Sequence, residues 1–507
     1  MTEQKPLSKS NYLAGLQCKK LLWFNIHDRS LAAPVDEDTQ RIFDIGHRIG
    51  ELATRRFPGG ELIDEPYYDV EGTIAHTQKA VEDGIPAIFE ATAVAGRLLS
   101  KADILARVEN TDNEWDMYEV KSSTKVKDVH IPDMALQKHC FELAGYTIRK
   151  CFLVHVSTAY VRQGEIDPQQ LLQAEEITER VAEHLPGIES RVKELHEVMD
   201  SSTRPDIEAG PQCSDPYDCP YWDECNDAWE PYTVYDLSYG ANATSELEKQ
   251  GIYYLKDVPE DFPLTDRQKM HVQAVKTDKP VYDTEKIRAF IDSLEYPLYH
   301  FDFETTGCAI PLFDNTRPYI QFPFQYSLHI QKEPNGKCDH RYFLNKDRTD
   351  PQKALAEQMI HHLGKEGSII AWNMSFEQGH INGLAELFPE YSEQLRNLVP
   401  RFRDLMIPFR TSYAHKDFHG SASLKYVLPV LVPKLSYEEL EEIQDGGTAF
   451  LRAQKWYSGD MPEEEWEKNY NNLLKYCELD TLAMVEILRK LYEVVEDIKG
   501  NNQTNIR

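Results

Sequence analysis

The stretch Trp115-Asp116-Met117-Tyr118-Glu119-Val120-Lys121-Ser122 largely alternates apolar with polar residues. A period of two predicts a half-buried β-strand, and on a strand Glu119 and Lys121 project from the same face. Leu98 to Val108 has the same character and is joined to it by the turn-rich Glu109-Asn110-Thr111-Asp112-Asn113, so the two read as a hairpin with Asp103 on its first strand. Downstream, Met134 to Thr147 has helical periodicity and carries Gln137, and Cys151 to Val156 has the length of a buried strand. Pro168 to Met199 reads as one long helix. Upstream, Ser8 to Cys18, with a Ser start signal, and Phe43 to Phe57 read as helices. Strand, strand, helix, strand with helices outside predicts an α/β domain.

Two carboxylates on one strand face, Asp103 and Glu119, can hold a hard divalent cation, and the Lys121 ammonium beside them can orient water or offset charge developing on phosphorus. Taken alone, an Asp followed by Glu-x-Lys is common and also fits a hairpin carrying an ion pair. The ordered set, strand Asp103, strand Glu119-Val120-Lys121, a helix with Gln137 and a further strand, resembles the PD-(D/E)xK nuclease core in its RecB-type branch. The resemblance implies catalytic roles for Asp103, Glu119, Lys121 and Gln137, with Asp103 and Glu119 binding metal. That branch carries a helical Gly-x-x-x-His that supplies a metal-binding His, whereas here Gly46 is followed at that offset by Gly50. His47 and Glu51 share a helix face nearby, and Glu51 is the expected substitute ligand.

Cysteines supply a further marker. Among nine, Cys213, Cys219 and Cys225 are closely spaced after this segment and Cys18 stands alone before it. Without a secretion signal they read as thiols or metal ligands, and four thiolates suit either a tetrahedral zinc or a [4Fe–4S] cluster. One Cys before the core and three after it resembles the iron–sulfur nucleases of the RecB branch, including CRISPR-associated and AddB-type enzymes, which implies a [4Fe–4S] cluster that staples the ends of the domain. The other five, Cys140, Cys151, Cys308, Cys338 and Cys477, read as packing residues.

A second constellation begins at His300-Phe301-Asp302-Phe303-Glu304-Thr305, where two carboxylates share one face of a strand. Glu377 follows the apolar Ser368 to Trp372 at the start of a helix, and Tyr476 and Asp480 lie one turn apart on the last long helix. Four carboxylates so arranged could hold two metal ions, with Tyr476 positioning water. The set resembles the DEDDy subgroup of DnaQ-like exonucleases. That resemblance implies an RNase H-like fold over about residues 295 to 495, Asp302, Glu304, Glu377 and Asp480 as Mg²⁺ or Mn²⁺ ligands, and action at 3′ ends. Glu377 stands where that family has Asp, and Asp404 in Arg403-Asp404-Leu405 reads as structural support.

The domain reading is thus 1–231 for the RecB-type domain with its four-Cys cluster, 232–294 for a helical connector, 295–495 for the DnaQ-like domain and 496–507 for a flexible tail. Strands are expected at Pro297 to Glu304, Ile320 to Ile330 and His340 to Leu344. A formal charge of −30 excludes coating of nucleic acid through bulk electrostatics, because phosphate neutralisation needs clustered Lys and Arg. It does not exclude a nuclease, whose bound cations reverse the sign of a carboxylate site. Basic residues do cluster locally at Lys19 and Lys20, at Lys121, Lys125 and Lys127, and at Arg149 and Lys150. No apolar run approaches the ~18 residues of a membrane span, and the expectation is a cytoplasmic protein. The whole chain resembles an uncharacterised bacterial family that joins the two nuclease modules, which implies trimming of DNA ends in repair or defence and leaves room for a helicase or repair partner. RNA processing, or a catalytically degenerate binding scaffold, are the alternatives.

Overall fold

Alternation in the first half of the chain produces a seven-stranded mixed sheet: β1 (Leu7–Ser8), β2 (Glu61–Leu62), β3 (Ala87–Ala95), β4 (Leu98–Arg107), β5 (Glu114–Val120), β6 (Thr147–Val156) and β7 (Leu172–Glu176). The computed structural model describes residues 5–66, 68–111, 113–226, 231–437, 440 and 442–504, of which 37, 38, 226 and 497–504 by backbone only. The strand order is β2-β3-β4-β5-β6-β7, with β1 added in parallel to the start of β4. β5 and β6 run parallel, whereas β4 is antiparallel to β3 and β5. The helices α1 (Lys9–Gln17), α2 (Lys19–His27), α3 (Glu37–Thr54), α4 (Val70–Glu82) and α5 (His130–Leu143) accompany this sheet. Ser8 caps α1, its hydroxyl accepting from the Asn11 N–H. Trp115, Met117, Met134 and Phe141 are fully buried between sheet and α5, each contributing about 1.5–3 kcal/mol of apolar burial.

The expected long helix over 168–199 is not formed. After a single turn at Pro168–Leu171 the chain enters β7, which pairs antiparallel with β6, and helices then run Thr178–His184 and Ile188–Asp200. Leu172-Gln173-Ala174-Glu175-Glu176 consists of good helix formers, but the open edge of β6 offers its backbone a ladder that overrides propensity. Gly187, at φ 80, adopts the left-handed conformation that separates the two later helices.

The chain divides into two compact units, and the division is not a single cut. The first comprises Met1–Ala228 together with Cys308–Ile320, and the second Trp229–Gly307 with Gln321–Arg507. The segment expected to be a helical connector therefore groups with the second unit, where Val234, Leu237, Leu247, Leu255, Val258 and Val272 form a small core of their own. Ala309 packs with Ile45, Ile49 and Val156 in the first unit, and the Arg162 guanidinium donates to the Pro311 and Leu312 carbonyls at 3.0 and 2.6 Å.

In the second unit β8 (Val281–Tyr282) precedes a five-stranded sheet of β9 (Leu298–Thr306), β10 (Phe322–Gln331), β11 (Cys338–Leu344), β12 (Ser368–Ala371) and β13 (Phe402–Asp404), in the order β11-β10-β9-β12-β13. β10 is antiparallel to β9 and β11, while β9, β12 and β13 run parallel. The helix Met374–Leu387 leaves β12, and the C-terminal helix Glu463–Thr504 packs across β9 and β10. That helix runs past 495 into the expected tail, whose last three positions lie outside the described residues. The fold class is mixed α/β, as the sequence predicts, and among the described residues no helix is long and apolar enough to cross a membrane.

Candidate active sites

In the first unit, β-register lines up three carboxylates. Phe89 pairs with Ile104 and Ala91 with Ala102, which sets Glu90 against Asp103; Ile104 pairs with Tyr118, which sets Asp103 against Glu119 on the next strand. Glu90 has φ 58, a left-handed conformation that costs a non-glycine residue on the order of 1–3 kcal/mol and is commonest at functional positions. Asp103 accepts from the Val120 N–H at 2.7 Å. The buried Glu119 accepts at one oxygen from Lys9 (2.7 Å) and Lys121 (2.6 Å) and at the other from Gln137 (2.6 Å). Asp133, one turn before Gln137 on α5, accepts from Lys121 at 3.1 Å and from Gln137 at 3.0 Å.

Lys9, Glu90, Asp103, Glu119 and Lys121 face a cavity of about 710 Å³, which His47, Gly50 and Glu51 of α3 also line. A Cβ placed on Gly50 would meet no atom within 4 Å. Burial raises the Asp103 carboxyl to about 7, helped by the neighbouring Glu119. Burial would raise Glu119 too, but Lys121 and Lys9 prevail and hold it well below the usual carboxylate range. Burial likewise raises Glu90. Asp103, Glu119, Lys121 and Gln137 thus come together as the sequence pattern requires, and Glu51 lies on the same cavity. Lys9, Glu90 and Asp133 are members of the constellation that sequence reasoning missed.

The four cysteines also meet. Cys18 sits at the junction of α1 and α2, and it lines one small cavity with Cys213, Cys219 and Cys225. Around them Phe24 stacks on Tyr221 with centroids 4.7 Å apart, and Gln17 donates to the Gln212 and Tyr217 carbonyls at 2.9 and 2.7 Å. Among the described residues, the groups whose ligand atoms all lie within 4.8 Å of one another are Asp302, Glu304 and Cys477, and His329, His340 and Glu478.

In the second unit, Asp302 and Glu304 lie on one face of β9, opposite Ser327 and Gln325 of β10. Glu377 comes from the first turn of Met374–Leu387, and Tyr476, Cys477 and Asp480 from the C-terminal helix. Tyr437, which sequence reasoning did not mark, donates its hydroxyl to Asp480. Among the described residues no Lys or Arg pairs with this set, and one oxygen of the buried Glu377 has no hydrogen-bond partner. Burial raises Asp480 to about 7, against the hydrogen bonds from Tyr437 and Tyr476. Burial raises Asp302, with Asp480 adding to it, and Glu304, with Asp302 and Asp480 adding to it. Burial beside Asp302 does the same for Glu377. Asp404 is a support, as expected: its carboxylate accepts from the Asn373 and Met406 N–H groups at 3.3 and 2.9 Å and so fixes the turn that launches the Glu377 helix.

Of the other cysteines, Cys140, Cys151, Cys308 and Cys477 are buried. The local basic clusters are partly spent on ion pairs: Lys19 with Glu194, Arg149 with Asp116 and Lys150 with Glu176.

Residues 299–423 match a family model described as "Domain of unknown function (DUF2779)". The uncharacterized protein MG366 of Mycoplasma genitalium is 25% identical over 253 residues, 46% of this chain and 37% of its own. The uncharacterized protein UU173 of Ureaplasma parvum serovar 3 is 27% identical over 228 residues, 40% of this chain and 32% of its own. The chain thus spans about a third of the length of these curated relatives.

Proposed function

We propose that this protein is a metal-dependent nuclease that trims DNA ends through two active centres, on a PD-(D/E)xK core in the first unit and an RNase H-like, DnaQ-type exonuclease fold in the second. The observation that carries the reading is the second centre: four acidic side chains brought together in the interior with, among the described residues, no basic partner. Burying one carboxylate unpaired is costly, and burying four is sustainable only if protons or cations neutralise them. Four carboxylates with an orphaned Glu377 oxygen suit a hard divalent ion, while the neighbouring Cys477 is a buried thiol whose pKa burial and these carboxylates raise. Asp302, Glu304, Glu377 and Asp480 would hold Mg²⁺ or Mn²⁺, which when bound lowers the pKa of water and offsets charge on the leaving oxygen. Tyr437 fixes the Asp480 carboxylate through its hydrogen bond, and Tyr476, one turn away, would orient a water.

In the first centre, Asp103, Glu119 and Glu51 would hold the cation. Glu119 and Asp133 hold the Lys121 ammonium at the cavity wall, where it can receive a phosphate oxygen, and Gln137 keeps Glu119 aligned. Cys18, Cys213, Cys219 and Cys225 would hold a [4Fe–4S] cluster. Its role would be to fasten the N-terminal helices, which carry Cys18, to the end of the first unit, which carries the other three cysteines.

The test is digestion of end-labelled single-stranded DNA, duplex DNA and RNA by the full chain with Mg²⁺ or Mn²⁺, for wild type, Asp103→Ala, Asp302→Ala and the double variant. Each single variant should lose part of the DNA cleavage, from 3′ ends in the case of Asp302→Ala, and the double variant all of it. Preference for RNA would move the substrate class, and a wild type that binds but never cuts would make the protein a scaffold.

A further inference from the structure

Register places three histidines in a row across the second sheet, on the face covered by the C-terminal helix: His300 of β9 pairs with His329 of β10, which pairs with His340 of β11. Two of these meet a carboxylate. The rings of His329 and His340 stack 4.6 Å apart, and the His340 Nδ1 lies 3.6 Å from an oxygen of Glu478 on the helix. One ligand atom from each of His329, His340 and Glu478 lies within 4.8 Å of the other two.

The surrounding hydroxyls assign the protons. Thr481 Oγ1 lies 3.1 Å from the Glu478 carbonyl, to which it can only donate. Its lone pairs then accept from His329 Nδ1 at 2.8 Å and from the Ser327 hydroxyl at 2.7 Å. With its proton so used, Ser327 accepts from His340 Nε2 at 2.9 Å. A hydroxyl has one proton and two lone pairs, so the chain of bonds closes without a surplus. Each neutral imidazole has then placed its N–H on a hydroxyl, which leaves a lone pair on the other nitrogen of each ring, His329 Nε2 and His340 Nδ1, the latter facing the Glu478 carboxylate. At 3.6 Å the His340 and Glu478 atoms are beyond hydrogen-bond range. They match the ~3.4 Å edge of a tetrahedron with ~2.1 Å metal–ligand bonds. Two imidazoles and a carboxylate gathered within 4.8 Å, with no proton between His340 Nδ1 and Glu478, call for a cation.

We propose that His329, His340 and Glu478 form a site for one transition-metal dication of the zinc class, separate from the four-carboxylate centre on the same sheet face. Two imidazoles and a carboxylate suit Zn²⁺ rather than Mg²⁺, which takes oxygen ligands. Ser327 and Thr481 supply the outer hydrogen bonds that fix the orientation of ligating histidines. Glu478 is 48% exposed and His340 24%, so the ion has access from solvent and keeps an open position there. The site joins the sheet edge at β11 to the helix that carries Asp480, and it does not depend on the protein being a nuclease.

Chelator-treated full-length protein is titrated with Zn²⁺ by calorimetry in excess Mg²⁺, comparing wild type with His340→Ala, Glu478→Gln, Ser327→Ala and Asp302→Asn; circular dichroism checks each fold. Zinc taken up by the cysteine quartet is common to all five. His340→Ala should bind one equivalent fewer than wild type. Ser327→Ala should weaken that equivalent by roughly tenfold to a hundredfold, the range for lost outer hydrogen bonds, Glu478→Gln should weaken it at least as much, and Asp302→Asn should keep it. Equal stoichiometry and affinity in wild type and His340→Ala would overturn the site. So would loss of the equivalent in Asp302→Asn alone, which would assign the zinc to the carboxylates. Should His340→Ala not fold, the two exposed-side and hydroxyl variants decide: unchanged affinity in both refutes the proposal.

Discussion

Replacing Asp480 by Asn should change how the metal-free protein responds to pH, and by an amount the structure allows one to work out. Buried, Asp480 has its carboxyl raised from 3.8 to about 7. Between those values the folded state keeps a proton that the unfolded chain gives up, so without metal its stability falls as pH rises across that window and levels off above about 7. About three pH units at about 1.4 kcal/mol each give roughly 4 kcal/mol, an upper figure because water entering the site would screen it. For a unit of this size that corresponds to on the order of 10 °C in melting temperature. Asp302 and Glu304 are raised in part by Asp480 itself, so the Asn variant should show a flatter profile than loss of one group implies. Tyr437 can still donate to the Asn oxygen, which keeps the site in place. The assay is thermal unfolding of the full chain from pH 4 to 8.5, in chelator and in Mn²⁺. Wild type should melt lower at pH 8 than at pH 4.5 in chelator and recover with Mn²⁺; the Asn variant should melt higher than wild type at pH 8 in chelator and gain little from Mn²⁺. Parallel profiles for the two proteins in chelator would refute the account, because Asp480 would then not be carrying a proton that folding must hold. Asp103 lies in the other unit, is common to both proteins and cancels in the comparison.

Lys121→Ala should abolish cleavage by the first centre while the unit stays folded, since Lys9 still pairs with Glu119; a loss of about 1–3 kcal/mol is expected for a half-satisfied buried pair, read by denaturant titration beside a cleavage assay. Gly50→His should keep the helix, whose propensity it improves, and tighten Mn²⁺ binding at the first cavity into which position 50 opens; unchanged affinity would remove that helix from the metal site. Cys219→Ala protein, purified without oxygen, should lose the broad absorption near ~400 nm expected of wild type and melt earlier in the first unit only, whereas stoichiometric zinc and no colour in wild type would replace the cluster by a zinc site. Tyr476→Phe should slow 3′-end cleavage by a smaller factor than Asp480→Ala, because a hydroxyl that orients water binds no metal.

The strands carrying Asp103, Glu119, Asp302 and Glu304 were legible because each shows one polar and one apolar face. β3 was not, because its residues are buried on both sides and a strand covered on two faces loses the alternation that marks it. Glu90 was lost with it. β13 spans three residues, too few to carry any period. Lys9 reaches Glu119 across 110 positions and Tyr437 reaches Asp480 across 43, contacts that only the folded chain creates. Asp133 did leave a trace, one helical turn before Gln137, that spacing alone could not distinguish from an ordinary surface acid. β7 was misread for a different reason: its residues favour a helix, and a neighbouring strand edge decided otherwise.

Cys308–Ile320 lies far along the sequence yet belongs to the first unit. The usual ways of dividing a protein therefore do not apply to this chain. A gene fragment ending near residue 231 would encode a first unit lacking part of its own interior, with the Ala309 contact and the Arg162 carbonyl partners supplied by nobody. Adding a synthetic peptide of residues 308–320 to such a fragment should raise its melting temperature. A protease nick in the stretch between the units should leave two pieces that still elute together. A recombination point near residue 231 would deprive a transplanted first half of the thirteen residues 308–320 that group with it.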